Sequence, residues 1–287
     1  MRTRILGNTG VAVNEIGYGA MHLSIDREKR PTEADSVAFL QRIVDELGIN
    51  FIDTADAYCT DSSETGHNER LIAAALTPAR RQHVLVATKG GSVRPDGRWE
   101  RDGRPEHLRA ACDASLKALG CERIDLYQLH APDPMVPVEE SVGTLADLQR
   151  DGKIRFVGVS NFSLPLLERA MKETTIVSLQ NQFSVINQRE EDEVLAFCEE
   201  KGITYIPWNP IGGRGKAPEL AAQSAALEHI AARHSASPHA IALAWLLKRS
   251  PAMLPIPGTR HFEHMAQNVQ AENIELSDEE MRELGGN

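Results

Sequence analysis

Two hydrophobic rhythms alternate along most of the chain. Short apolar runs are each followed by a stretch whose apolar residues return every three or four positions. The first rhythm suits strands buried on both faces, and the second suits amphipathic helices. The clearest helix covers residues 32–47, with Val37, Leu40, Ile43, Val44 and Leu47 on one face and Gly48 as its stop. From there the pattern predicts strand 49–53 and helix 68–76, strand 83–88 and helix 106–119, and strand 124–130 and helix 138–150. It continues with strand 154–159 and helix 163–172, strand 176–180 and helix 191–201, then strand 203–207 followed by helices 222–234 and 238–249. Strand 252–256, helix 261–268 and a last helix over 277–284 complete it. With a short strand near Gly17 these make eight βα units, and the expected fold is an α/β (β/α)8 barrel. An open doubly wound sheet is the runner-up, weakened because Gly17-Tyr18-Gly19 is only a fragment of a G-x-G-x-x-G fingerprint. Residues 3–16 stand outside the repeat and read as a hairpin turning at Gly7-Asn8-Thr9-Gly10.

Polar residues interrupt this pattern at equivalent places. Asp53, Lys89 and His130 end three of the apolar runs, and Tyr58 follows Asp53 by one loop. In such a barrel the C-terminal strand ends carry the active site. Taken alone, each has an ordinary reading: a helix cap, a solvated lysine, a packed histidine, a packed tyrosine. Together they form a device for carbonyl reduction, in which charge develops on an oxygen that needs a proton donor and oriented hydrogen bonds. Tyr58 serves as the acid, Lys89 lowers its pKa, Asp53 holds Lys89, and a neutral His130 orients the substrate. Residues 90–104, irregular and bearing Trp99, read as a flap over the site.

Composition narrows the setting. The 287 residues are 41% hydrophobic and 25% charged, enough apolar material for one large core, and no linker divides the chain, so a single domain over 1–287 is expected. A net charge of -10 argues against nucleic-acid and anionic-membrane partners. Cys59, Cys112, Cys121 and Cys198 make no C-x-x-C pair or zinc-ligand spacing; buried free thiols, no metal and a cytoplasmic location follow as expectations. Cys59, beside Tyr58, is the thiol to watch. No run is long enough to span a bilayer.

Along nearly its whole length the sequence resembles the aldo-keto reductases. The resemblance is carried by Gly17-Tyr18-Gly19-Ala20-Met21, Asp53-Thr54-Ala55-Asp56-Ala57-Tyr58, Ala87-Thr88-Lys89, Leu129-His130, Gly158-Val159-Ser160-Asn161-Phe162, Leu179-Gln180-Asn181-Gln182 and Ile256-Pro257-Gly258-Thr259-Arg260. It implies an oxidoreductase using NADPH, more rarely NADH, with the N-terminal hairpin as the plug of the barrel. It further implies that Ser160, Asn161 and Gln180 hold the nicotinamide carboxamide and that Trp208 stacks on its ring. Gly19, Ala20, Met21, Asn209, Pro210, Ile211 and Gly213 are carried over as further cofactor contacts. Pro257, Gly258, Thr259, Arg260, His264, Gln267 and Asn268 correspond to the adenosine-phosphate end. The sequence departs from better-known members at Gly258, His264 and Gln267, which leaves Arg260 as the strong cation for a 2′-phosphate. Met21, Tyr58, Trp99 and His130 are the implied contacts to a small-molecule carbonyl substrate. Residues 205–213 and 244–251 resemble a pyridoxal reductase-like branch, which makes pyridoxal a candidate. The alternatives are an NADP-dependent alcohol or sugar dehydrogenase running in reverse, and a cofactor-binding regulatory subunit without turnover. Oligomeric state is not legible.

Overall fold

A computed structural model describes residues 1–188, 191–212 and 225–285. It opens with the expected hairpin, β1 (Thr3–Ile5) antiparallel to β2 (Ala12–Asn14), with Arg4 opposite Val13. Seven strands then form one parallel sheet. In chain order they are β3 (Tyr18–Gly19), β4 (Phe51–Asp53), β5 (Leu85–Gly90), β8 (Ile124–Leu129), β9 (Ile154–Ser160), β10 (Ile176–Gln182) and β11 (Thr204–Trp208). β6 (Ser92–Val93) and β7 (Glu100–Arg101) pair with each other outside this sheet.

The expected eighth strand, 252–256, forms no regular ladder. The segment nevertheless bridges the two edges of the sheet. On one side Tyr205 N donates to Ala252 O at 2.9 Å and Leu254 N to Tyr205 O at 2.8 Å; on the other, Gly17 N donates to Pro255 O at 3.0 Å and Gly19 N to Pro257 O at 3.3 Å. Pro255 and Pro257 have no N–H to give back, so the barrel closes without a full eighth strand.

Helices wrap the outside. They are α1 (Glu33–Asp45), α2 (His67–Ala75), α3 (Pro78–Arg81), α4 (Pro105–Leu119), α5 (Val138–Arg150), α6 (Leu164–Glu173) and α7 (Glu191–Lys201). After them come α8 (Ala225–His234), α9 (Pro238–Arg249), α10 (Phe262–Val269) and α11 (Asp278–Glu283). Local chemistry sets their ends. Thr32 caps α1 by accepting from Asp35 N, Gly120 ends α4 at φ +63°, and Ser277 and Glu280 form a reciprocal capping box on α11. The expected helix 222–234 is described from residue 225. The short helix α3 was not anticipated; Thr77 is its N-cap and Pro78 its first residue, the position that a proline suits.

Strand alternation divides the core in two. Phe51, Leu85, Ala87, Leu126, Val177, Ile206, Leu254 and Ile256 fill the barrel interior, and Leu6 and Val13 of the hairpin join them as its floor. A larger cluster lies between strands and helices and includes Trp245, fully buried and stacked on Phe183 at 5.6 Å. Because inward residues recur every second position, the residue two beyond each interior apolar one also points inward. That rule places Asp53 after Phe51, Lys89 after Ala87 and Gln128 after Leu126 in one polar layer above the apolar filling. In β10 a register shift between Ile176 and Ser178 turns Ser178 toward Gln128, to whose Oε1 it donates at 3.2 Å.

Candidate active site

The polar layer is anchored on Lys89, whose side chain is fully buried. Its ammonium donates to Asp53 Oδ1 at 2.6 Å, to the Thr54 carbonyl at 2.8 Å and to Tyr58 Oη at 3.1 Å. All three ammonium protons are therefore committed. The other carboxylate oxygen of Asp53 accepts from Gln180 Nε2 at 2.8 Å and from Gln128 Nε2 at 3.4 Å. Asp53 is thus bound to its neighbours and does not cap a helix.

Burial and charge compete at these groups. Burial alone would pull the Lys89 ammonium down, but Asp53 and Tyr58 outweigh it and hold the pKa above its ordinary value. Burial pushes the Tyr58 phenol up by more than the nearby Lys89 charge brings it down. This corrects the expectation of a lowered Tyr58 pKa: the lysine acts in the expected direction, and desolvation exceeds it. His130 is held well below its usual value, by burial first and by the Lys89 charge second, so its ring is neutral. Its Nδ1 is buried without a hydrogen-bond partner, which leaves Nε2 as the ring nitrogen on the cavity side. The ring stands edge-on to Tyr58 at 5.8 Å and to Trp99 at 5.6 Å.

Above the layer lies a cavity of about 450 Å³. Asp53, Tyr58 and His130 form part of its floor. Met21 and Trp99, both expected to meet substrate, stand in its wall with Gly19, Ser160, Asn161, Gln180, Trp208, Asn209, Pro210, Ile211 and Gly258. Ser160 and Asn161 do not cap the following helix, whose N-cap is Ser163. Asn161 sits in the left-handed region at φ +62°. Its Nδ2 donates to the His130 carbonyl at 2.9 Å and its Oδ1 accepts from Trp208 Nε1 at 3.1 Å. The amide thereby ties the His130 loop to the Trp208 loop.

The remaining expected contacts lie outside this cavity. Ala20 is buried, and its carbonyl accepts from Asn68 Nδ2 at 2.9 Å. Pro257 faces Gly19 through its carbonyl, and the Thr259 carbonyl accepts from Tyr18 Oη at 2.8 Å. Arg260 precedes α10, on which His264 and Gln267 are exposed and Asn268 is largely buried. Gly213 lies outside the described residues.

The flap is more regular than its sequence suggested. β6 and β7 form a two-rung hairpin, with Ser92 opposite Arg101 and Val93 opposite Glu100. Arg94 lies over the Trp99 ring at 4.3 Å. Cys59 is buried, and burial pushes its thiol up to about 11, so it is an inert packing residue and no nucleophile. Gln128 was missed because a glutamine inside an apolar strand reads as an exception; its inward parity with Leu126 is the signal that finds it. Among the described residues no cluster of His, Cys, Asp or Glu could hold a metal, and no helix is long and apolar enough to cross a membrane.

Comparison with known proteins follows the same outline. The profile of the Aldo/keto reductase family matches residues 15–286. An uncharacterised oxidoreductase of Schizosaccharomyces pombe is 39% identical over 278 residues, covering 96% of this chain and 86% of that protein. A thermostable aldo-keto reductase crystallised with the inhibitor epalrestat superposes with a TM-score of 0.83 at 32% identity, over 99% of this chain and 98% of that one. An aldo-keto reductase of Klebsiella pneumoniae crystallised with NADPH gives 0.81 at 25% identity, over 99% and 94%.

Proposed function

Because this chain belongs to the aldo/keto reductase family, we propose that it is an NADPH-dependent oxidoreductase that reduces a small aldehyde or ketone to the alcohol, with Tyr58 as the proton donor. The observation that carries the reading is the buried relay from Asp53 through Lys89 to Tyr58, opening onto a cavity floor shared with a neutral His130. The residues around that cavity fit the cofactor. Ser160, Asn161 and Gln180 offer amide and hydroxyl groups suited to a carboxamide, and Trp208 offers a flat face to an aromatic ring. Gly258 lines the cavity where a Cβ would stand 2.7 Å from the His22 ring, so only a glycine keeps that wall open. Arg260 makes no ion pair among the described residues and supplies a cation for a 2′-phosphate. When bound, the nicotinamide supplies the hydride that adds to the carbonyl carbon.

The chain's own groups act on the oxygen. His130 Nε2–H donates to the carbonyl oxygen and orients it. Tyr58, protonated at neutral pH because burial holds its pKa up, gives its proton as negative charge develops there. Lys89 stabilises the phenolate left behind, and Asp53 keeps Lys89 charged and in place. Pyridoxal belongs in the first substrate screen because of the branch resemblance.

Tyr58→Phe tests the assignment. Loss of a positioned general acid lowers turnover by about 10²- to 10⁴-fold, while NADPH affinity stays within a few-fold of wild type. Reduction rates in the variant close to wild type would remove Tyr58 from the role.

A further inference from the structure

The flap hairpin carries two polar side chains that nothing in the catalytic relay uses. Ser92 and Arg101 are directly opposite in the β6–β7 register. Opposed residues of an antiparallel pair project from the same face, and both line the catalytic cavity. Through their side chains, neither makes a hydrogen bond or ion pair among the described residues.

For Arg101 this is notable in a chain with 41 acidic residues against 31 basic ones. Acidic residues next to it in sequence or on the adjoining loop and helix are engaged elsewhere. Glu100 is paired with Arg98 at 3.3 Å. Asp102 is held by Arg104 at 2.7 Å. Asp133 accepts from the backbone amides of Gly103 and Met135, each at 2.9 Å. Glu139 is taken up by Arg169 at 2.7 Å. Arg101, an exposed residue that also lines a neighbouring groove with Asp133 and Arg169, and the Ser92 opposite it thus share the lining of the catalytic cavity with the apolar Trp99, Ala131 and Met21. The distance suits one small molecule. The Trp99 ring lies 5.6 Å from the His130 ring, and Arg101 follows Trp99 by two residues, roughly 7 Å of extended chain.

We propose that Ser92 and Arg101 form a subsite for a carboxylate on the substrate, so that the preferred substrates are aldehydes or ketones bearing a carboxylate at the end remote from the carbonyl. The inference rests on the reductase reading above and names its substrate class. A planar guanidinium receives a carboxylate through two parallel hydrogen bonds, and the hydroxyl can donate a third. One cation and one hydroxyl suit a single negative charge; a doubly charged phosphate group would call for further donors.

The experiment compares kcat/KM, with NADPH, for 4-carboxybenzaldehyde and its neutral isostere 4-formylbenzamide, in wild type, Arg101→Gln and Ser92→Ala. The expected result is a preference of about tenfold for the carboxylate in wild type, the size of one charge-assisted contact. That ratio falls to about one in Arg101→Gln and by a smaller factor in Ser92→Ala. A wild-type ratio near one, or a ratio that Arg101→Gln leaves intact, overturns the proposal. 4-Formylphenyl phosphate is the second arm. A larger preference for it, lost in Arg101→Gln, overturns the carboxylate assignment in favour of a phosphate ester. If wild type reduces none of the three, the reductase reading itself fails. The subsite is then judged by titrating terephthalate against Trp fluorescence in the presence of NADP+. Saturable binding that is lost in Arg101→Gln upholds it, and binding equal in both proteins, or none in either, overturns it.

Discussion

Replacing Asp53 by Asn removes one charge from the most deeply buried ion pair of the site with almost no change in shape. The two charged atoms are 2.6 Å apart, and the side chains are 0% and 1% exposed. At an effective dielectric of about 20, such a contact is worth roughly 6 kcal/mol of attraction, much of it cancelled by the cost of dehydrating both ions. Removing one partner leaves the other charge uncompensated, which costs about 3 to 5 kcal/mol. The asparagine also turns a donor toward Gln180 Nε2, which now donates to Asp53 at 2.8 Å. For a chain of this length a loss of that size lowers Tm by about 10 °C, which differential scanning calorimetry measures directly. Lys89 gives the prediction its sign. In the wild type its pKa is raised, so its contribution to stability is complete below the unfolded lysine value of about 10.4 and is lost as pH rises through the folded value. In Asp53→Asn, burial without the carboxylate drops the folded pKa below the unfolded one. The unfolded state then binds the extra proton in the alkaline range, and the variant's stability climbs with pH there. The Tm gap between wild type and variant should therefore narrow between about pH 8 and pH 10. Turnover should fall about 100-fold or more, because a neutral Lys89 no longer stabilises the Tyr58 phenolate. A Tm within about 2 °C of wild type, or a gap that stays constant with pH, would refute the idea that Asp53 acts by keeping Lys89 charged.

Two further perturbations read out the scaffold of the site. A Cβ at Gly90 would stand 2.0 Å from Tyr127 Oη and 2.9 Å from its Cζ, with Tyr127 fully buried. Gly90→Ala should cost about 3 kcal/mol or more, and Tyr127→Phe in the same chain should restore part of it in chemical denaturation. No loss in the single variant would mean that β5 and β8 are not packed this closely. Glu64 clamps the loop that follows Tyr58: it receives both arms of the Arg30 guanidinium at 2.8 and 2.9 Å and the Thr60 hydroxyl at 2.6 Å. These bonds pull its carboxyl down to about 2. A depressed carboxylate stabilises the fold above its unfolded value and loses that contribution as pH falls from about 4.3 toward the folded value. Glu64→Gln should destabilise by about 1 to 2 kcal/mol at neutral pH, after discounting for a pair that is partly exposed. The difference from wild type should shrink toward pH 3; a difference independent of pH would rule the ion pair out as its source.

How much of this was readable beforehand depends on whether a feature lies in parity or in depth. Asp53, Lys89 and His130 were legible because each ends an apolar strand, and strand periodicity fixes which way the chain must aim them. Gln128 obeys the same parity with Leu126 but interrupts its strand, so its polarity hid its position. The hairpin of the flap was invisible because its strands are two residues long and lack alternating apolar positions. The run 252–256 has the composition of a strand, but Pro255 and Pro257 withhold the donors a ladder needs. The pKa directions were the least legible. That Lys89 would favour a phenolate follows from residue types, whereas burial outweighing it follows from where the barrel packs Tyr58. Cys59 makes the same point, since its neighbour in sequence faces the cavity while the thiol itself is buried.

One physical condition, removal from water, sets the protonation states of the site, and they suit one task. Burial keeps the Tyr58 phenol protonated and, together with Lys89, the His130 ring neutral. The same burial would neutralise Lys89, and only Asp53 and Tyr58 prevent it. At neutral pH the resting site therefore holds a proton on the phenol, a donor on the imidazole and a fixed positive charge behind both. That arrangement is ready to give a proton to a developing alkoxide. Taking one from an alcohol requires the phenolate first, against the burial that raises its pKa. On the reading proposed above, the resting site is thus set for carbonyl reduction at neutral pH. Reductive turnover at saturating NADPH and substrate should fall as pH rises through the Tyr58 pKa, which initial rates across the alkaline range measure, and the same fall persisting in Tyr58→Phe would show that Tyr58 does not carry the transferred proton.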